Sequence, residues 1–206
     1  MTNSGKSGHG AIPHHTIDSI AIAAQVITAF HQIVSRRINP EYAAVLSICS
    51  INTVDTYNVI PEEVVLRGTV RCFDVKVRDQ LKDEMIKIAN GICQSWGAVA
   101  DMQYYYGYPP LHNDTKMAEI IRMATADIDG AISDPVSMPP MAGEDFAIFA
   151  EHRPTAFFFT GTGSDKCREL WHNYAFDIEE EALEYGAKVF VNAAQIFANE
   201  KKITKK

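Results

Sequence analysis

The residue in this chain with the clearest capacity for metal chemistry is a histidine near the C-terminus. His172 stands in the tripeptide Trp171-His172-Asn173, shortly before the acidic run Asp177-Ile178-Glu179-Glu180-Glu181. A histidine at the turn before a helix can bind a metal ion, but a catalytic zinc requires about three protein ligands. The rest of the sequence supplies no evident companions. His172 therefore predicts one ligand of an incomplete metal site.

A second candidate is a histidine in a glycine-spaced loop near the N-terminus. His9 lies between two glycines in the segment GKSGHGAIPH, where backbone and imidazole can both approach a ligand. The loop lacks the G-x-x-x-x-G-K-[ST] spacing of a phosphate-binding loop, and no apolar strand precedes it. His14 and His15 do not form an H-E-x-x-H zinc motif. From these residues alone, His9 is either an exposed loop histidine or a ligand-contacting one.

Two arginines and an asparagine are candidates for binding a carboxylate. Asn58 precedes Val59-Ile60-Pro61, while Arg67 and Arg71 lie on one face of a predicted strand, about 13 Å apart at the usual rise per residue. Guanidinium groups offer parallel donors that match a carboxylate. The alternative is structural, because Asn58 can form an Asx turn before the proline and the arginines can line the wet face of a sheet.

An acidic pair is the fourth candidate feature. Glu144-Asp145 opens a predicted short helix in the segment MAGEDF. Carboxylates in the first turn of a helix are favoured by the helix dipole, which is the simpler explanation. Such a pair can also orient a metal-ligating histidine or bind a substrate amine. Both interpretations stay open on the residues alone.

Composition and charge exclude several classes of function. The 206 residues are 47% hydrophobic and 22% charged, as in a globular protein with one large domain or two small ones. The net charge is -7 and the basic residues are scattered, which argues against nucleic acid as a partner. No apolar run approaches the ~20 residues of a membrane span, and the N-terminus has no signal-peptide pattern. The four cysteines stand singly, with no C-x-x-C pair of a zinc ribbon. We therefore expect a cytoplasmic protein that binds neither membranes nor nucleic acid.

The first half of the chain alternates between helix and strand patterns. Apolar residues at steps of three and four predict an amphipathic helix from Ile17, with Thr16 as its N-cap. With a strand stub at the N-terminus, the order of elements becomes the split βαβ pattern of a ferredoxin-like layer. The other predicted elements are strands at 43–51, 63–73 and 99–106 and a helix with Val77, Leu81, Glu84 or Met85, Ile88 and Ile92 on one stripe, stopping before Trp96.

The second half has a different pattern. The turn-rich segment Tyr106-Gly107-Tyr108-Pro109-Pro110 marks a domain boundary. Beyond it, strands and helices that alternate suggest an α/β layer. The predicted elements are a helix at 115–127, an irregular loop at 133–140, a short helix from Gly143, a buried strand at 156–160 and a closing helix at 178–199.

Six ordered motifs connect the candidate residues. The segments GKSGHGAIPH, NVIP, RGTVR, YGYPP, MAGEDF and WHNYAFDIEEEAL occur in the order, and at about the spacing, seen in metal-dependent amidohydrolases and metallopeptidases. From Gly5 to about Ala198 the chain resembles the C-terminal half of this family, which includes hippurate hydrolase, N-acyl-amino-acid amidohydrolase, aminoacylase and carboxypeptidase G. The resemblance implies a ferredoxin-like βαββαβ lid and dimerisation domain at 1–108, with a truncated first strand. It implies that 109–206 form the C-terminal part of an α/β metallohydrolase catalytic domain.

The same resemblance implies roles for the candidate residues. His172 matches the family's last metal ligand, and His9 matches a catalytic lid histidine that polarises the scissile carbonyl, often across a dimer. Asn58 and Arg71 match positions associated with the substrate's carboxylate, and Glu144 belongs to an acidic pair that we assign to substrate binding. The implied reaction is hydrolysis of hippurate-like N-acyl amino acids by metal-activated water. The implied cofactor is a pair of divalent metals, zinc, manganese, cobalt or nickel, to which this chain contributes at most one ligand.

The family's other metal ligands and its general base are missing from this sequence. In the family a Cys-Gly-His-Asp segment, a Glu-Glu pair and a further histidine lie upstream of the matched region. We therefore expect the chain to be inactive alone, as a fragment or as one half of a split enzyme. The expected partners are a second copy bound through the lid, or a missing N-terminal half. The alternative is a non-enzymatic dimerisation module derived from this family.

Overall fold

A computed structural model of the chain describes residues 1–134 and 140–203, with side chains described as far as residue 199. These residues divide into two units. The first consists of Met1–Pro110 together with Pro140–Gly143, and the second consists of the other described residues. The predicted irregular loop at 133–140 lies mostly outside the described residues.

Strands and helices alternate along the described part of the first unit. They are β1 (Thr2–Ser4), β2 (Gly8–His9), α1 (Ser19–Arg37), β3 (Ala44–Asn52), β4 (Val59–Ile60), β5 (Glu63–Cys72), α2 (Val75–Ser95) and β6 (Val99–Asp101). Four of these strands form an antiparallel sheet in the order β3-β5-β1-β6. The two shortest, β2 and β4, pair with each other in a separate ribbon. The unit is therefore a mixed α/β structure.

The two longest strands agree with the predicted pattern. β3 and β5 each begin and end within one residue of the predicted ranges. On β5, Val64 and Leu66 are buried while Glu63 and Arg67 are exposed, as period-two alternation requires. β6 is shorter than predicted and ends at Asp101 instead of residue 106. Its neighbour β1 has only three residues, so the ladder of hydrogen bonds ends there.

Helix α1 begins two residues later than predicted. Its N-cap is Asp18, whose carboxylate accepts hydrogen bonds from the backbone N–H groups of Ile20 and Ala21 at 3.0 Å. The prediction of Thr16 as the N-cap is wrong, because its hydroxyl donates to the Pro13 carbonyl instead. Ile17 is held in an extended conformation by a β-bridge to Lys6, which delays the start of the helix.

The core of the first unit lies between the sheet and the two helices. Each fully buried aliphatic or aromatic side chain contributes roughly 1.5–3 kcal/mol to folding. On α2 the buried stripe continues through Ala89 and Cys93 instead of the predicted Ile88 and Ile92, which are half-buried. Over the described residues, no helix combines the length and the apolar character that crossing a membrane requires. The largest fully buried apolar side chains of this core are Ile22, Val26, Phe30, Ile33, Val64, Leu66, Leu81 and Cys93.

A buried polar link joins three elements of the first unit. The side-chain amide of Asn3 on β1 donates to the backbone carbonyl of Ser19 at 2.9 Å. The hydroxyl of Ser19, at the start of α1, donates to the carbonyl of Pro61 at 2.7 Å, between β4 and β5. Asn3 and Ser19 are fully buried, so water cannot replace these bonds. The link fixes the start of α1 against the ribbon and the sheet.

The described part of the second unit is built from helices α3 (Thr115–Ala126), α4 (Ala147–His152) and α5 (Glu181–Ile203). α3 and α5 pack around Ala124, Ile128 and Val189. The predicted helix at 115–127 is confirmed. The predicted short helix begins at residue 147 instead of 143, and the closing helix begins at residue 181 instead of 178.

The prediction of a strand at 156–160 is wrong for the described structure. This segment has no ladder of backbone hydrogen bonds to another described segment. Its backbone is held instead by the side chain of Asn113, which accepts from the Phe157 N–H and donates to the Phe157 carbonyl, both at 2.8 Å. The Asp114 N–H also donates to the Thr155 carbonyl at 2.8 Å. Hydrogen bonds from the Asn113 side chain therefore hold this segment, where the prediction expected backbone hydrogen bonds to a neighbouring strand.

Replacing Ser19 with alanine tests the buried polar link. The change removes a donor and leaves the Pro61 carbonyl without this buried partner, so we expect a loss of about 1–3 kcal/mol in the free energy of unfolding. Urea titration followed by Trp96 fluorescence, in a Trp171→Phe background, measures it. The control is Ser35→Ala, whose exposed hydroxyl bonds only within its own helix, and it should change stability by less than about 0.5 kcal/mol. Equal effects of the two changes would contradict the role of the link.

Candidate functional site

The ribbon of the first unit brings two of the predicted site residues together. His9 on β2 lies opposite Val59 on β4, in an antiparallel register. One residue further along, the Gly10 N–H donates to the Asn58 carbonyl at 2.8 Å. Both His9 and Asn58 are exposed. The ribbon therefore presents an imidazole and a carboxamide to solvent from adjoining backbone positions.

The backbone also selects the tautomer of His9. Its Nδ1 atom accepts a hydrogen bond from the Ala11 N–H at 3.1 Å. A neutral imidazole with an acceptor at Nδ1 carries its proton on Nε2. The exposed edge of His9 is therefore a hydrogen-bond donor, which is the form needed to stabilise an oxygen that gains negative charge.

Close backbone approaches explain the glycine spacing of this loop. A Cβ atom on Gly5 would lie 2.2 Å from the Ile17 carbonyl oxygen, which is far inside van der Waals contact. A Cβ atom on Gly10 would lie 3.3 Å from the Asn58 carbonyl oxygen. The absence of a side chain at both positions lets the loop lie close to the extended segment before α1 and to the segment before β4.

Arg71 lies elsewhere in the first unit. It stands opposite Val45 near the end of β5, about 26 Å along the strand from Glu63, where β5 begins after the ribbon. Its Nη1 atom donates to the hydroxyl of Thr69 and to the carbonyl of Val70. Its Nη2 and Nε atoms make no hydrogen bond to the part of the chain that the structure describes. Within one chain, Arg71 is therefore not grouped with the ribbon.

Glu144 belongs to the second unit and caps its own turn. Its Oε1 atom accepts from the Phe146 N–H at 3.2 Å, just before α4. Asp145 is exposed, and its backbone carbonyl accepts from the Ile148 N–H at 3.0 Å. Helix α4 has Phe146 as its N-cap, without a side-chain cap, and no acidic residue in its first turn. The interpretation of the pair as carboxylates in the first turn of this helix is therefore wrong, because Glu144 bonds within the turn that precedes it.

His172 lies in a loop of the second unit that is organised by its neighbour. The Asn173 side chain accepts from the Ala175 N–H at 2.9 Å and donates to the Glu169 carboxylate at 2.6 Å. His172 itself is exposed and has a φ of 66°, in the left-handed region that side chains other than glycine seldom occupy. The Asn173 bonds hold a strained backbone turn that projects the imidazole into solvent.

A row of four aromatic rings runs through the second unit to this loop. We call Phe146, Phe157, Phe159 and Trp171 the aromatic row. Successive ring centroids lie 5.6, 5.2 and 6.2 Å apart. Because Phe146 follows the acidic pair and Trp171 precedes His172, the row connects the segments that carry Glu144 and His172. Both of these predicted site residues therefore adjoin one continuous cluster of rings.

The described residues do not by themselves form a metal site. Among them, no group of three or more histidine, cysteine, aspartate or glutamate side chains is close enough to hold a metal ion. His172 offers one imidazole, and its role as a metal ligand stays a prediction. No chemical step through a metal can be derived from these residues alone.

The positioning residues were harder to identify from the sequence than the candidate site residues. Asn113, Asn173 and Ser19 each hold a functional or structural segment through side-chain hydrogen bonds to backbone. Asparagine and serine have such roles in many turns, but their composition does not indicate which backbone group they contact. Only the fold brings Asn113 beside Phe157.

Comparisons with a family model and with individual known proteins agree with one another. The model of peptidase family M20/M25/M40 matches residues 22–196. The chain is 41% identical over 179 residues to N-acetyl-L-cysteine deacetylase of Bacillus subtilis (strain 168), a match covering 87% of this chain and 42% of that protein. It is 45% identical over 109 residues to N-acyl-L-amino acid amidohydrolase of Geobacillus stearothermophilus, covering 53% of this chain and 30% of that protein.

Solved structures give the same result. The chain is similar to the Bacillus subtilis YXEP protein, described as a dinuclear metal binding peptidase from the M20 family. That match has a TM-score of 0.70 and 30% identity, and it covers 95% of this chain and 49% of the other. A tripeptidase from Staphylococcus aureus has a TM-score of 0.76 at 17% identity, covering 96% of this chain and 50% of that one, which is a likeness of fold alone. The chain spans about half the length of the relatives it matches.

The tautomer of His9 can be tested by NMR. We expect the ¹⁵N spectrum of the neutral imidazole to show a proton mainly on Nε2, because the Ala11 N–H occupies Nδ1. His31, exposed on α1, serves as the internal control and should show the tautomer balance of a free histidine in the same spectrum. The same balance at His9 and His31 would contradict the assignment.

Proposed function

The chain belongs to peptidase family M20/M25/M40, and from this premise we propose that it forms part of a metal-dependent hydrolase that cleaves the amide bond of N-acyl amino acids. The observation that carries this proposal is the family match over residues 22–196. Two similar proteins, a deacetylase and an amidohydrolase, have names that refer to removal of an acyl group from an amino acid. We propose hippurate-like substrates, in which the acyl group is benzoyl or a similar group.

The ribbon supports a role in stabilising charge on the scissile carbonyl. His9 has its Nε2–H exposed, so it can donate a hydrogen bond to the carbonyl oxygen as negative charge develops there. Asn58, bonded through its backbone to Gly10, carries a second exposed donor group next to the ribbon, and we propose that this group contacts the substrate. The Nη2 and Nε atoms of Arg71 make no hydrogen bond to the described residues, and we propose that they bind a substrate carboxylate from this separate position. The Oε2 atom of Glu144, which likewise makes no hydrogen bond to the described residues, is proposed to contact the substrate as well.

His172 is proposed to contribute one ligand to a pair of divalent metals. An exposed imidazole on a strained turn is suited to this role, since the turn holds the ring away from the rest of the unit. When bound, such metals would activate water and polarise the substrate carbonyl. Zinc, manganese, cobalt and nickel all accept imidazole ligands. Since the described residues hold no further ligand cluster, we propose that the other ligands come from outside residues 1–206.

The first unit is proposed to be the ferredoxin-like lid, at about residues 1–108, and to mediate dimerisation. Its order of strand, helix, strand, strand, helix, strand supports this assignment once the small ribbon is set aside. β3 is the end strand of the sheet, so one row of its backbone groups is free to pair with another strand. Ile51 on this strand is 61% exposed. A second copy of the chain could extend the sheet through this edge.

The hydrolase proposal is tested by reconstitution with the rest of a relative. The chain is mixed with the part of the Bacillus subtilis N-acetyl-L-cysteine deacetylase that its alignment with this chain leaves uncovered, with zinc or manganese present. We expect hydrolysis of N-benzoylglycine by the mixture and by neither polypeptide alone. His9→Gln should lower kcat by about 10²–10³-fold, because a donor to the charged oxygen is lost.

His14 offers the matched control, because it is an exposed histidine in the same loop. The change His14→Gln should leave kcat unaltered. Hydrolysis by the chain alone with stoichiometric metal would refute the single-ligand assignment. Equal losses in the two histidine variants would refute the role of His9, and an inactive mixture that forms a stable complex would refute the proposed activity.

Dimerisation through β3 is tested by sedimentation equilibrium. We expect the mass of two chains, and we expect Ile51→Lys to shift the equilibrium to monomer because lysine on an edge strand opposes strand pairing. The control is Val75→Lys, a change of equal charge at an exposed position where α2 begins. A monomer at all concentrations, or equal effects of the two lysines, would exclude this interface.

A further inference from the structure

The segment that follows β6 is fixed to the first unit although it belongs to no strand. β6 ends at Asp101, and residues 102–106 form no ladder of backbone hydrogen bonds with another described segment. Met102 and Tyr104 nevertheless pack against the apolar core. Burial raises the pKa of the Tyr104 phenol above its ordinary value, as expected for a ring that is partly removed from water. We call residues 102–106 the docked segment.

Tyr106, at the end of the docked segment, is held by two cations of α2. The Lys82 ammonium donates to the Tyr106 hydroxyl at 3.0 Å, and it lies 5.1 Å from the centroid of the ring. The Arg78 guanidinium carbon lies 4.5 Å from the same centroid. Both distances are those of cation–π contacts. Because Tyr106 is 51% exposed, its ring is held against the helix by these contacts and by an edge-to-face contact with Tyr104 at 5.2 Å.

The spacing of the two cations on α2 lets them reach the same ring. Arg78 and Lys82 are four residues apart in the helix, so their side chains lie on one face. Arg78 also pairs with Asp79 through its Nε atom at 3.1 Å. The hydrogen bond with Tyr106 raises the pKa of Lys82, so this side chain stays charged at neutral pH. The Tyr106 ring therefore lies beside two permanent positive charges.

The residue after the docked segment has unusual freedom. A Cβ atom on Gly107 would meet no atom within 4 Å, and glycine has the widest choice of backbone conformations. The next residue, Tyr108, has a contact of its own, because a Cβ atom on Gly143 would lie 3.9 Å from its ring. Gly143 belongs to the same unit. The chain therefore passes from one held tyrosine to another through a single uncrowded glycine.

We propose that Arg78 and Lys82 form a latch that docks residues 102–106 on α2 and thereby sets Gly107 as the pivot where the chain leaves the first unit. With the latch closed, backbone rotation is confined to Gly107. With the latch open, Tyr104 is the last residue that is held, because its ring packs against the core. Exposed cation–π contacts are weak, so the latch opens in a minority of molecules. The inference is independent of the proposed activity, since it uses contacts within the first unit alone.

Backbone ¹⁵N relaxation of the whole chain tests where the pivot lies. We expect order parameters near the rigid value of about 0.85 at Tyr104 and Tyr106, and a lower value at Gly107. The low value should be confined to this glycine in the unaltered chain. A rigid value that continues from Tyr106 through Gly107 would overturn the pivot.

Replacing both cations opens the latch without altering the docked segment. In a variant with Arg78→Gln and Lys82→Gln, we expect the order parameter of Tyr106 to fall below about 0.6, while that of Tyr104 stays near the rigid value. The matched control carries Lys76→Gln and Lys87→Gln, which remove the same charge from exposed positions of the same helix. The control should leave Tyr106 rigid.

Limited proteolysis measures how often the latch opens. Tyr105 lies inside the docked segment with its side chain 83% exposed, but chymotrypsin requires an extended backbone that has left α2. We expect cleavage after Tyr105 to be roughly tenfold faster in the variant without the two cations, because the open fraction rises. The control with changes at Lys76 and Lys87 should be cleaved at the rate of the unaltered chain.

Tyr106→Leu removes the same contacts from the side of the ring. It should reproduce the loss of order, and combining it with the two cation changes should add nothing, because the partners are already lost. Order that persists at Tyr106 without the cations, equal cleavage of the cation variant and its control, or additive effects of the ring and cation changes would each overturn the latch.

Discussion

A buried pair of hydrogen bonds, from the Asn3 amide to the Ser19 carbonyl and from the Ser19 hydroxyl to the Pro61 carbonyl, is the constraint on which the first unit depends. It joins a three-residue strand, the start of a long helix and the turn after the ribbon. Because unpaired polar groups are costly in the interior, the bonds can form in only one arrangement of the three elements. The ribbon that carries His9 and Asn58 follows from that arrangement.

The two units place their exposed residues by different physical means. In the first, backbone pairing does so, with β2 and β4 in register and glycines allowing the close approaches around them. In the second, asparagine side chains hold extended or looped backbone at Phe157 and around His172. Backbone pairing fixes many residues at once, whereas each asparagine fixes one segment. The loop that carries His172 is therefore the more easily disturbed of the two.

Segments held by backbone pairing were easier to predict from the sequence than segments held by side-chain hydrogen bonds. β5 was predictable because apolar and polar residues alternate at its start, where Val64 and Leu66 are buried and Glu63 and Arg67 are exposed. The structure at 156–160 was not predictable in this way. A run of apolar residues indicates burial, but it does not indicate whether another strand lies alongside. The N-cap of α1 was displaced by the bridge between Lys6 and Ile17, a long-range contact that local spacing does not contain. The roles given to the candidate site residues came from the family motifs, whereas the tautomer of His9 depends on one backbone N–H in three dimensions.

The left-handed backbone at His172 lowers the stability of the loop that carries this residue. A residue with a Cβ atom in this conformation costs about 1 kcal/mol or more relative to glycine, which adopts it freely. Glycine at this position would therefore relieve strain and favour the folded loop, while removing the imidazole. Selection for thermal robustness alone would discard the histidine. The metal-ligand role proposed for His172 would account for an imidazole at this strained position, and a search for more stable variants would then need to hold this residue fixed.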